Sequence, residues 1–479
     1  MVQTLIPPTP ARMAPDPGLP RVPTTRAWPV PTWRLAAGLL VVAVILLPFG
    51  TGAAAVWAVG NLVVIGLAVL DLTLAPSPAT LGLRRQVEPV MVIDTGAPLR
   101  WNVQNSAGRA VTVDLADALA GSLRVTDRRA RMRVPSRGQA FADRVVTPAR
   151  RGRIQLGLVT VRVHGPLGLM MRQAECDLTA QVSVHPAFPS RNDAELALQQ
   201  ARRQAEGLRT VRLRGQGTDF ESLRDYTPDD ETRRIDWAAT ARALKPIVRT
   251  YRAERNQQVL ILLDHGRTMA GRMGRVPVDD GGRDGHPSRA AIAPRLEHAM
   301  DAVMALTRVA TGMGDRVGLV TFSDVVGASV PPRTGSAQLT RVVQTLADVD
   351  VDLVEPDYRA AFAEALVRYR RRALVVVLTD LAAAPVTESL VPAVGLLSRR
   401  HLLLIASPVD PTVQEWTRRP PRDAAGSYRM AAALRGDADR RRAAGLLRRT
   451  GAQVVDAPPQ RLPLRLIDAY LDLKSAGRL

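Results

Sequence analysis

Two carboxylates stand where this sequence could do chemistry, each at the end of an apolar run. Asp264 ends "VLILLD" and Asp380 ends "ALVVVLTD". Such a run is typical of a parallel strand buried on both faces, which carries the residue at its end to the edge of the sheet where ligands bind. A tight polar loop, "HGRTMAG", follows Asp264. The residues alone leave three interpretations of this loop open: a metal site, a degenerate metal site, or a loop without a ligand.

The elements that must position these carboxylates alternate between strand and helix from about residue 195 onwards. Apolar runs predict strands at 259–264, 315–322, 373–380, 402–406 and 453–456. Helical patterns lie between them at 295–312, 336–347, 358–371, 387–399 and 437–450. This alternation indicates a doubly wound, mostly parallel sheet with helices on both faces. Residues 272–294 are predicted to form a loop after the first strand, and the sequence does not indicate the role of this loop.

The N-terminal part predicts a membrane anchor. Residues 1–32 are rich in proline and arginine and predict a disordered tail. Residues 33–74 contain two apolar stretches joined by "GTG", which favours a two-helix transmembrane hairpin. Arginines flank the hairpin on both sides, so both termini and the soluble domains are expected in the cytoplasm, at the bacterial inner membrane. A signal peptide and a buried soluble hairpin are the alternatives.

Residues 80–190 change character and predict a small antiparallel β domain. Short segments such as "LRWNVQN", "VTVDLA" and "IQLGLVTVRV" alternate apolar and polar residues, and turn-forming residues separate them. This pattern favours a β-sandwich. The region contains no clustered His, Asp or Glu, so we interpret it as a spacer or a binding module.

Charge and cysteine content narrow the class of protein. The 479 residues carry a net charge of +20, and Lys245 and Lys474 are the only lysines. The arginines are spread along the chain, which favours solvated faces or contact with a lipid bilayer, so no nucleic-acid partner is expected. A nucleic-acid or acidic-protein partner is the alternative. The single cysteine, Cys176, excludes an internal disulfide and a cysteine-rich zinc site.

The segment 195–258, before the first strand, is expected to pack on the sheet. Acidic and basic residues alternate between 219 and 242, interleaved with Phe220, Tyr226, Ile235 and Trp237, which we expect to be buried. A buried network of arginine–carboxylate pairs is the preferred interpretation. A docking surface for a partner is the alternative, and a catalytic role for Asp236 beside Trp237 has little support.

The same segment resembles the bacterial family called "domain of unknown function 58". The motif residues that carry the resemblance are Gly215, Gly217, Asp219, Phe220, Leu223, Arg224, Tyr226, Asp230, Arg233, Ile235, Asp236, Trp237, Ala241 and Arg242. The resemblance covers roughly residues 35–479. It implies a von Willebrand factor A-like fold for residues 259–479. The predicted fold class is therefore α/β, a von Willebrand factor A-like doubly wound mostly parallel sheet, preceded by a two-helix membrane hairpin and a small antiparallel β-sandwich domain.

The resemblance also implies a metal-ion-dependent adhesion site at the strand ends, with Mg²⁺ as the cation. Asp264 matches its first aspartate, Thr268 its second serine and Asp380 the aspartate of its third loop, whereas Gly266 replaces its first serine. Asp357 stands near the position of the family's threonine, and His265 and Arg267 lie among the donors. The site is therefore expected to be degenerate. The alternative is that Asp264 caps a loop or pairs with an arginine.

The functional prediction is a membrane-anchored, cytoplasm-facing protein-interaction module. The sequence contains no P-loop, Gly-x-Ser-x-Gly or His-Glu-x-x-His motif, so an enzyme is not favoured. The resemblance implies a partner, because proteins of this kind are associated with MoxR-type AAA+ ATPases in the assembly or maturation of other complexes. The alternative is a metal-dependent hydrolase that uses Asp264 and Asp380.

Overall fold

The computed structural model describes residues 27–46, 54–211, 219–227, 232, 235–252, 257–273 and 293–477. The chain divides into two compact units, Met1–Val184 and His185–Leu479, which are described separately below. Residues 1–26 of the predicted tail and residues 274–292 of the predicted loop lie outside the described residues. The domain boundaries drawn from the sequence stay predictions.

The first unit contains two apolar helices and a series of short strands. Its helices are α1 (Trp33–Leu46) and α2 (Ala54–Leu74). Its strands are β1 (Trp28–Pro31), β2 (Leu81–Val87), β3 (Val90–Val92), β4 (Ala97–Asn105), β5 (Val111–Asp117), β6 (Leu123–Val125), β7 (Arg129–Val134), β8 (Gln139–Pro148), β9 (Gly152–Leu156), β10 (Val159–His164), β11 (Met170–Cys176) and β12 (Ala180–His185).

The strands of the first unit form antiparallel sheets around an aliphatic core. The five-stranded sheet has the order β1-β11-β10-β5-β7 and the four-stranded sheet the order β2-β4-β8-β6. Alternate residues point inwards, as β5 shows with Val111, Val113 and Leu115 buried. This alternation arises because successive side chains of a strand point to opposite faces of the sheet.

The two apolar helices differ in length. In the described part of the chain, the stretch Ala55–Thr80 alone is long and apolar enough to cross a membrane, by length and composition only. Helix α1 has 14 residues, a rise of about 21 Å, which is short of the ~30 Å hydrocarbon core of a bilayer. The structure therefore provides one candidate span where the sequence predicted two.

The second unit combines a large sheet with helices and two short hairpins. Its helices are α3 (Arg191–Val211), α4 (Trp237–Ala243), α5 (Arg295–Gly312), α6 (Ala337–Ala347), α7 (Tyr358–Arg368), α8 (Ala383–Pro385), α9 (Val391–Ser398), α10 (Pro411–Arg418), α11 (Ala424–Arg449) and α12 (Leu462–Ser475). Its strands are β13 (Asp219–Asp225), β14 (Ile247–Arg252), β15 (Gln258–Asp264), β16 (Arg272–Met273), β17 (Ala293–Pro294), β18 (Arg316–Phe322), β19 (Val326–Arg333), β20 (Leu374–Leu378), β21 (Leu402–Pro408) and β22 (Gln453–Ala457).

The large sheet has six strands in the order β19-β18-β15-β20-β21-β22. The pairings of β15 with β18 and β20, and those of β21 with β20 and β22, are parallel, whereas β19 runs antiparallel to β18. Both faces of the sheet are covered. In β15, Val259 and Ile261 pack into one hydrophobic cluster with residues of α5 and α12, and Leu260 and Leu262 pack into another with residues of α7 and α9.

The fold class predicted from the sequence is wrong. The prediction was a von Willebrand factor A-like, doubly wound, mostly parallel sheet, preceded by a two-helix membrane hairpin and a small antiparallel β-sandwich domain. The four- and five-stranded sheets of the first unit are wholly antiparallel, the large sheet of the second unit is mixed, and the described residues contain one candidate span. The physical reason is that apolar periodicity predicts strands but does not give their direction or partners.

Candidate functional site

The candidate site lies at the carboxyl edge of the large sheet, where the strand order reverses. From β15 the chain continues to β18 and β19 on one side of the sheet, and β20, β21 and β22 lie on the other side. Asp264 is the last residue of β15, and Asp380 follows β20 by two residues. In parallel sheets, ligands bind in the crevice outside such a reversal point. The two carboxylates predicted from the sequence therefore flank the position at which a site is expected.

Asp264 is fully buried, and neutral groups donate hydrogen bonds to it. The Gly266 amide donates to Oδ1 at 2.7 Å, the Thr379 hydroxyl to Oδ2 at 2.6 Å, and the Tyr358 hydroxyl to Oδ2 at 3.4 Å. Burial raises the pKa of Asp264 to about 6, although the hydrogen bonds from Thr379, Gly266 and Tyr358 act to lower it. The carboxyl group is thus close to half protonated near pH 6.

Asp380 is also buried, but its carboxylate pairs with two arginines. Arg440 of α11 donates from Nη1 to Asp380 Oδ1 at 2.9 Å, and Arg295 Nη1 lies 3.3 Å from Asp380 Oδ2. Arg440 also bonds to Asp456 Oδ1 at 2.7 Å and to the Ser407 hydroxyl at 2.6 Å. One guanidinium therefore joins the ends of three neighbouring parallel strands, β20, β21 and β22.

The loop after Asp264 packs against the segment before α7. Gly266 is required here, because a Cβ atom at this position would lie 2.9 Å from the Val354 carbonyl oxygen and 3.1 Å from Asp264 Oδ1. His265 Nδ1 lies 3.2 Å from Asp352 Oδ2, and Arg267 pairs with Glu355 at the surface. Burial lowers the pKa of His265, although the charge of Asp352 acts in the opposite direction. Burial therefore favours the neutral imidazole.

Asp357 and Thr268 also lie at this edge. Asp357 accepts a hydrogen bond from the Ala360 amide at 2.9 Å and so caps the N-terminus of α7. Thr268 accepts a hydrogen bond at its carbonyl from Arg295 at 3.1 Å. Its hydroxyl is buried and has no hydrogen-bond partner among the described residues. Asp264, His265, Arg267, Thr268, Asp357 and Asp380 are thus gathered at one edge of the sheet.

The donor set does not fit a magnesium site. The orphaned Thr268 hydroxyl would suit a cation, but both oxygens of Asp380 face guanidinium groups and both oxygens of Asp264 already accept hydrogen bonds. The guanidinium groups of Arg440 and Arg295 would repel a divalent cation placed at Asp380. The described residues also contain no group of three or more His, Cys, Asp or Glu that could hold a metal ion. Magnesium binding, and the hydrolase that would depend on it, stay predictions.

The predicted signature residues form a second group, built on the hairpin of β13 and β14. Asp236 caps α4 by accepting from the Ala238 and Ala239 amides at 3.0 and 3.1 Å. The Tyr226 amide donates to the Pro246 carbonyl at 2.9 Å. Arg224 donates to the Asp225 carbonyl at 3.0 Å, and Arg242 donates to the Ala238 carbonyl at 3.1 Å. This group braces the hairpin and its short helix.

The predicted burial of Trp237 is wrong, because 72% of this residue is exposed. Helix α4 has seven residues, and Ala239 is its buried member, so the helix has no buried face large enough to hold an indole ring. Arg233 lies outside the described residues, and of Asp219 the structure describes the backbone in β13. The predicted network of buried arginine–carboxylate pairs through these two residues therefore stays a prediction.

Sequence reasoning missed several residues that complete the edge. Thr379 and Tyr358 each stand beside a residue that was predicted, Asp380 and Asp357. A polar residue next to a strand-end carboxylate could have served as a signal for both. Arg440 gave no such signal, because it lies in the run "DRRRAA" of an arginine-rich chain.

Comparisons with known proteins support a family relationship for part of the chain. Residues 222–416 match the model of the family described as "Protein of unknown function DUF58". The chain is 27% identical over 168 residues to the uncharacterized protein Rv1480 of Mycobacterium tuberculosis and, equally, to the uncharacterized protein Mb1516 of Mycobacterium bovis. Each match covers 35% of this chain and 48% of the relative, so the chain spans about half the length of the curated relatives it matches.

Two solved structures that resemble this chain are only distantly similar to it. The CARDB domain of the PF1109 protein from Pyrococcus furiosus, in complex with di-metal ions, is 16% identical, with a TM-score of 0.16, and covers 22% of this chain and 86% of its own. Native E. coli alpha-2-macroglobulin is 16% identical, with a TM-score of 0.19, and covers 23% of this chain and 7% of its own. Neither likeness is close enough to carry an argument about fold or function.

Proposed function

We propose that this chain is a membrane-anchored protein-interaction module whose contact surface lies at the carboxyl edge of the large sheet. The observation that carries the proposal is a set of exposed aliphatic side chains at that edge. Val325 is 62% exposed, Leu353 79% and Val354 38%. Exposed aliphatic residues grouped in this way, with a polar rim, are typical of protein contact sites.

The rim of this surface is acidic. We define the edge surface by its aliphatic members Val325, Leu353 and Val354 and its exposed acidic members Asp324, Asp350, Asp352 and Glu355. The segment 348–357, "DVDVDLVEPD", contains five acidic residues and no basic one, in a chain of net charge +20. This local reversal of sign favours a partner with a basic and apolar surface, and it disfavours nucleic acid and anionic lipid at this place.

The loops that carry the edge surface are held by backbone hydrogen bonds. The Arg267 amide donates to the Val354 carbonyl at 2.9 Å, the Asp352 amide to the His265 carbonyl at 2.8 Å, and the Asp357 amide to the Ser323 carbonyl at 2.7 Å. These bonds tie the segment before α7 to the ends of β15 and β18. A surface that is ordered before binding loses less conformational entropy when a partner docks.

The family resemblance supplies the class of partner, a MoxR-type AAA+ ATPase. In this proposal the ATPase provides energy for the assembly or maturation of other complexes, and this chain provides the location and the recognition surface. The apolar stretch Ala55–Thr80 would provide the anchor. The soluble parts would face the cytoplasm at the bacterial inner membrane, where such an ATPase and its nucleotide are present.

The test is capture of a MoxR-type ATPase by the full chain in lipid nanodiscs, with the ATPase held in a nucleotide-trapped state. Leu353→Asp should abolish capture, because it replaces the most exposed aliphatic side chain of the edge surface with a charge. Val367→Asp is the matched control, since Val367 is also an exposed aliphatic residue, at 69%, near the far end of α7. Equal capture by wild type and both variants would reject the edge surface, and no capture by wild type would reject this class of partner.

A further inference from the structure

The strongest unexplained feature of the first unit is a buried carboxylate at the end of an apolar helix. Asp71 lies in the last turn of α2 and is fully buried. It accepts three backbone hydrogen bonds from the turn that joins β10 to β11. The donors are the Leu167 amide at 2.7 Å, the Leu169 amide at 2.7 Å and the Met170 amide at 2.8 Å. Hydrogen bonds from several amides to one carboxylate are among the strong ones in proteins.

The turn is shaped to receive this carboxylate. A Cβ atom at Gly165 would lie 2.4 Å from Asp71 Oδ1, so any other residue there would displace this carboxylate. Gly168 adopts a positive φ of 71°, which a glycine tolerates at no steric cost. Arg172 of β11 also donates to the Leu72 carbonyl of α2 at 3.0 Å.

The chain that enters α1 is fixed to the same turn. β1 pairs antiparallel with β11, in a register that places Pro31 opposite Met170. The Thr32 hydroxyl donates to the Gly168 carbonyl at 2.7 Å, and the Thr32 amide to the Leu169 carbonyl at 3.0 Å. The start of α1 and the end of α2 are therefore both clamped to residues 165–170.

Exposed amphipathic and apolar side chains surround this clamp. Trp28 is 60% exposed, Trp33 76% and Leu167 48%. Beyond the clamp, α2 exposes aliphatic residues along its length, among them Leu62 at 68% and Val69 at 57%. Tryptophan is enriched at the membrane–water interface, where its ring lies at the level of the headgroups.

We propose that the β10–β11 turn, together with Trp28, Trp33 and Leu167, is the surface by which the β domain rests in the lipid interface. Asp71 is the positioning residue that holds α2 to it. This inference rests on the proposed membrane anchoring and adds which part of the soluble domain touches lipid. The occupant is the headgroup region of a bilayer, because the surface continues directly into the exposed apolar face of α2.

The test compares two exposed leucines at opposite ends of one strand. Leu167 lies in the turn after β10, and Leu158, 41% exposed, directly precedes β10. The six residues of β10 separate them by about 20 Å. Each is changed to Cys in a Cys176→Ala background, labelled with a fluorophore, and measured in full chain reconstituted in vesicles that contain spin-labelled quencher lipids.

The label at 167 should lose most of its fluorescence to the lipid quencher, and the label at 158 should lose none. Equal quenching at the two positions would overturn the inference. So would protection of position 167 from both lipid and aqueous quenchers, because a protein or a second copy would then cover it. Flotation of the vesicles separates the two proposals. Protein that floats with position 167 in water overturns only the inference, whereas protein that does not float overturns the anchoring too.

Asp71→Asn supplies the second arm, since it removes the charge that three amides share. The variant should still float, and quenching at position 167 should fall toward the level at position 158. Gly165→Ala should do the same, because its methyl group displaces the carboxylate without altering α2. Unchanged quenching in both variants would show that Asp71 does not position the turn.

Discussion

The ends of β15 and β20 are neighbours in one sheet, and each carries a buried carboxylate, but the two carboxylates are stabilised differently. Neutral donors reach Asp264, and its pKa rises to about 6. Guanidinium groups reach Asp380, from Arg440 at 2.9 Å and Arg295 at 3.3 Å. The comparison shows that neighbouring strand ends of one sheet can stabilise buried carboxylates with different partners, neutral donors at Asp264 and guanidinium groups at Asp380. At Asp264, burial outweighs the hydrogen bonds and raises the pKa.

The largest expected effect comes from removing the guanidinium on the Asp380 side. Arg440→Ala leaves the carboxylates of Asp380 and Asp456 without their shared partner, and breaking a buried pair in this way costs about 3–5 kcal/mol. Hydrogen exchange of the β20–β22 amides in the full chain measures this loss as a fall in the free energy of local opening.

Arg441→Ala is the control for that measurement. Arg441 lies next in the same helix and pairs with Asp437 at the surface, where its side chain is 71% exposed. Its loss should change the opening free energy by less than ~1 kcal/mol. Similar losses in the two variants would mean that Arg440 is not the organising group of this edge.

A smaller and pH-dependent effect is expected on the Asp264 side. Because its folded pKa, about 6, lies above the unfolded value, this group contributes full stability below the unfolded pKa. That stability is lost as pH rises through 6, by about 3 kcal/mol in total. Asp264→Asn removes the titrating group, so the stability of the variant relative to the wild type should increase between pH 4 and pH 7.5. Hydrogen exchange of β15 amides across this range tests the sign, and a parallel pH dependence in wild type and variant would refute the assignment.

The smallest effect comes from one hydrogen bond to Asp264. Thr379→Val keeps the shape of the side chain and removes the hydroxyl that donates to Oδ2 at 2.6 Å, at a cost of about 1–3 kcal/mol at neutral pH. The pKa of Asp264 should rise further, because this hydrogen bond favours the charged form. A carbonyl-stretch titration by infrared spectroscopy follows the carboxyl group directly, and an unchanged or lower pKa would contradict the role given to Thr379.

The sequence could predict the strand ends but not their partners. Continuous apolar runs located β15, β18, β20, β21 and β22, and so placed Asp264 and Asp380 at the edge. The run "VGASVPPR" of β19 gave no such signal, because glycine and two prolines break the pattern. It is the antiparallel strand that makes the sheet mixed.

Residues that act across long sequence distances were beyond prediction for a related reason. Arg440 is one of three consecutive arginines, and only the rotation of α11 decides which of them faces the strand ends. Asp71 closes a predicted apolar segment, and its donors are backbone amides 96 to 99 residues away. Composition and periodicity describe residues that are close in sequence, so they do not indicate a backbone partner at that separation.

The close approach at Gly266 has a consequence for how this edge can evolve. Even a methyl carbon at this position would meet the Val354 carbonyl at 2.9 Å and Pro356 Cδ at 3.2 Å. A substitution that adds a side chain at residue 266 would therefore require the 350–356 loop to move away first. Changes at this edge are thus constrained in their order, because the loop must move before residue 266 can carry a side chain.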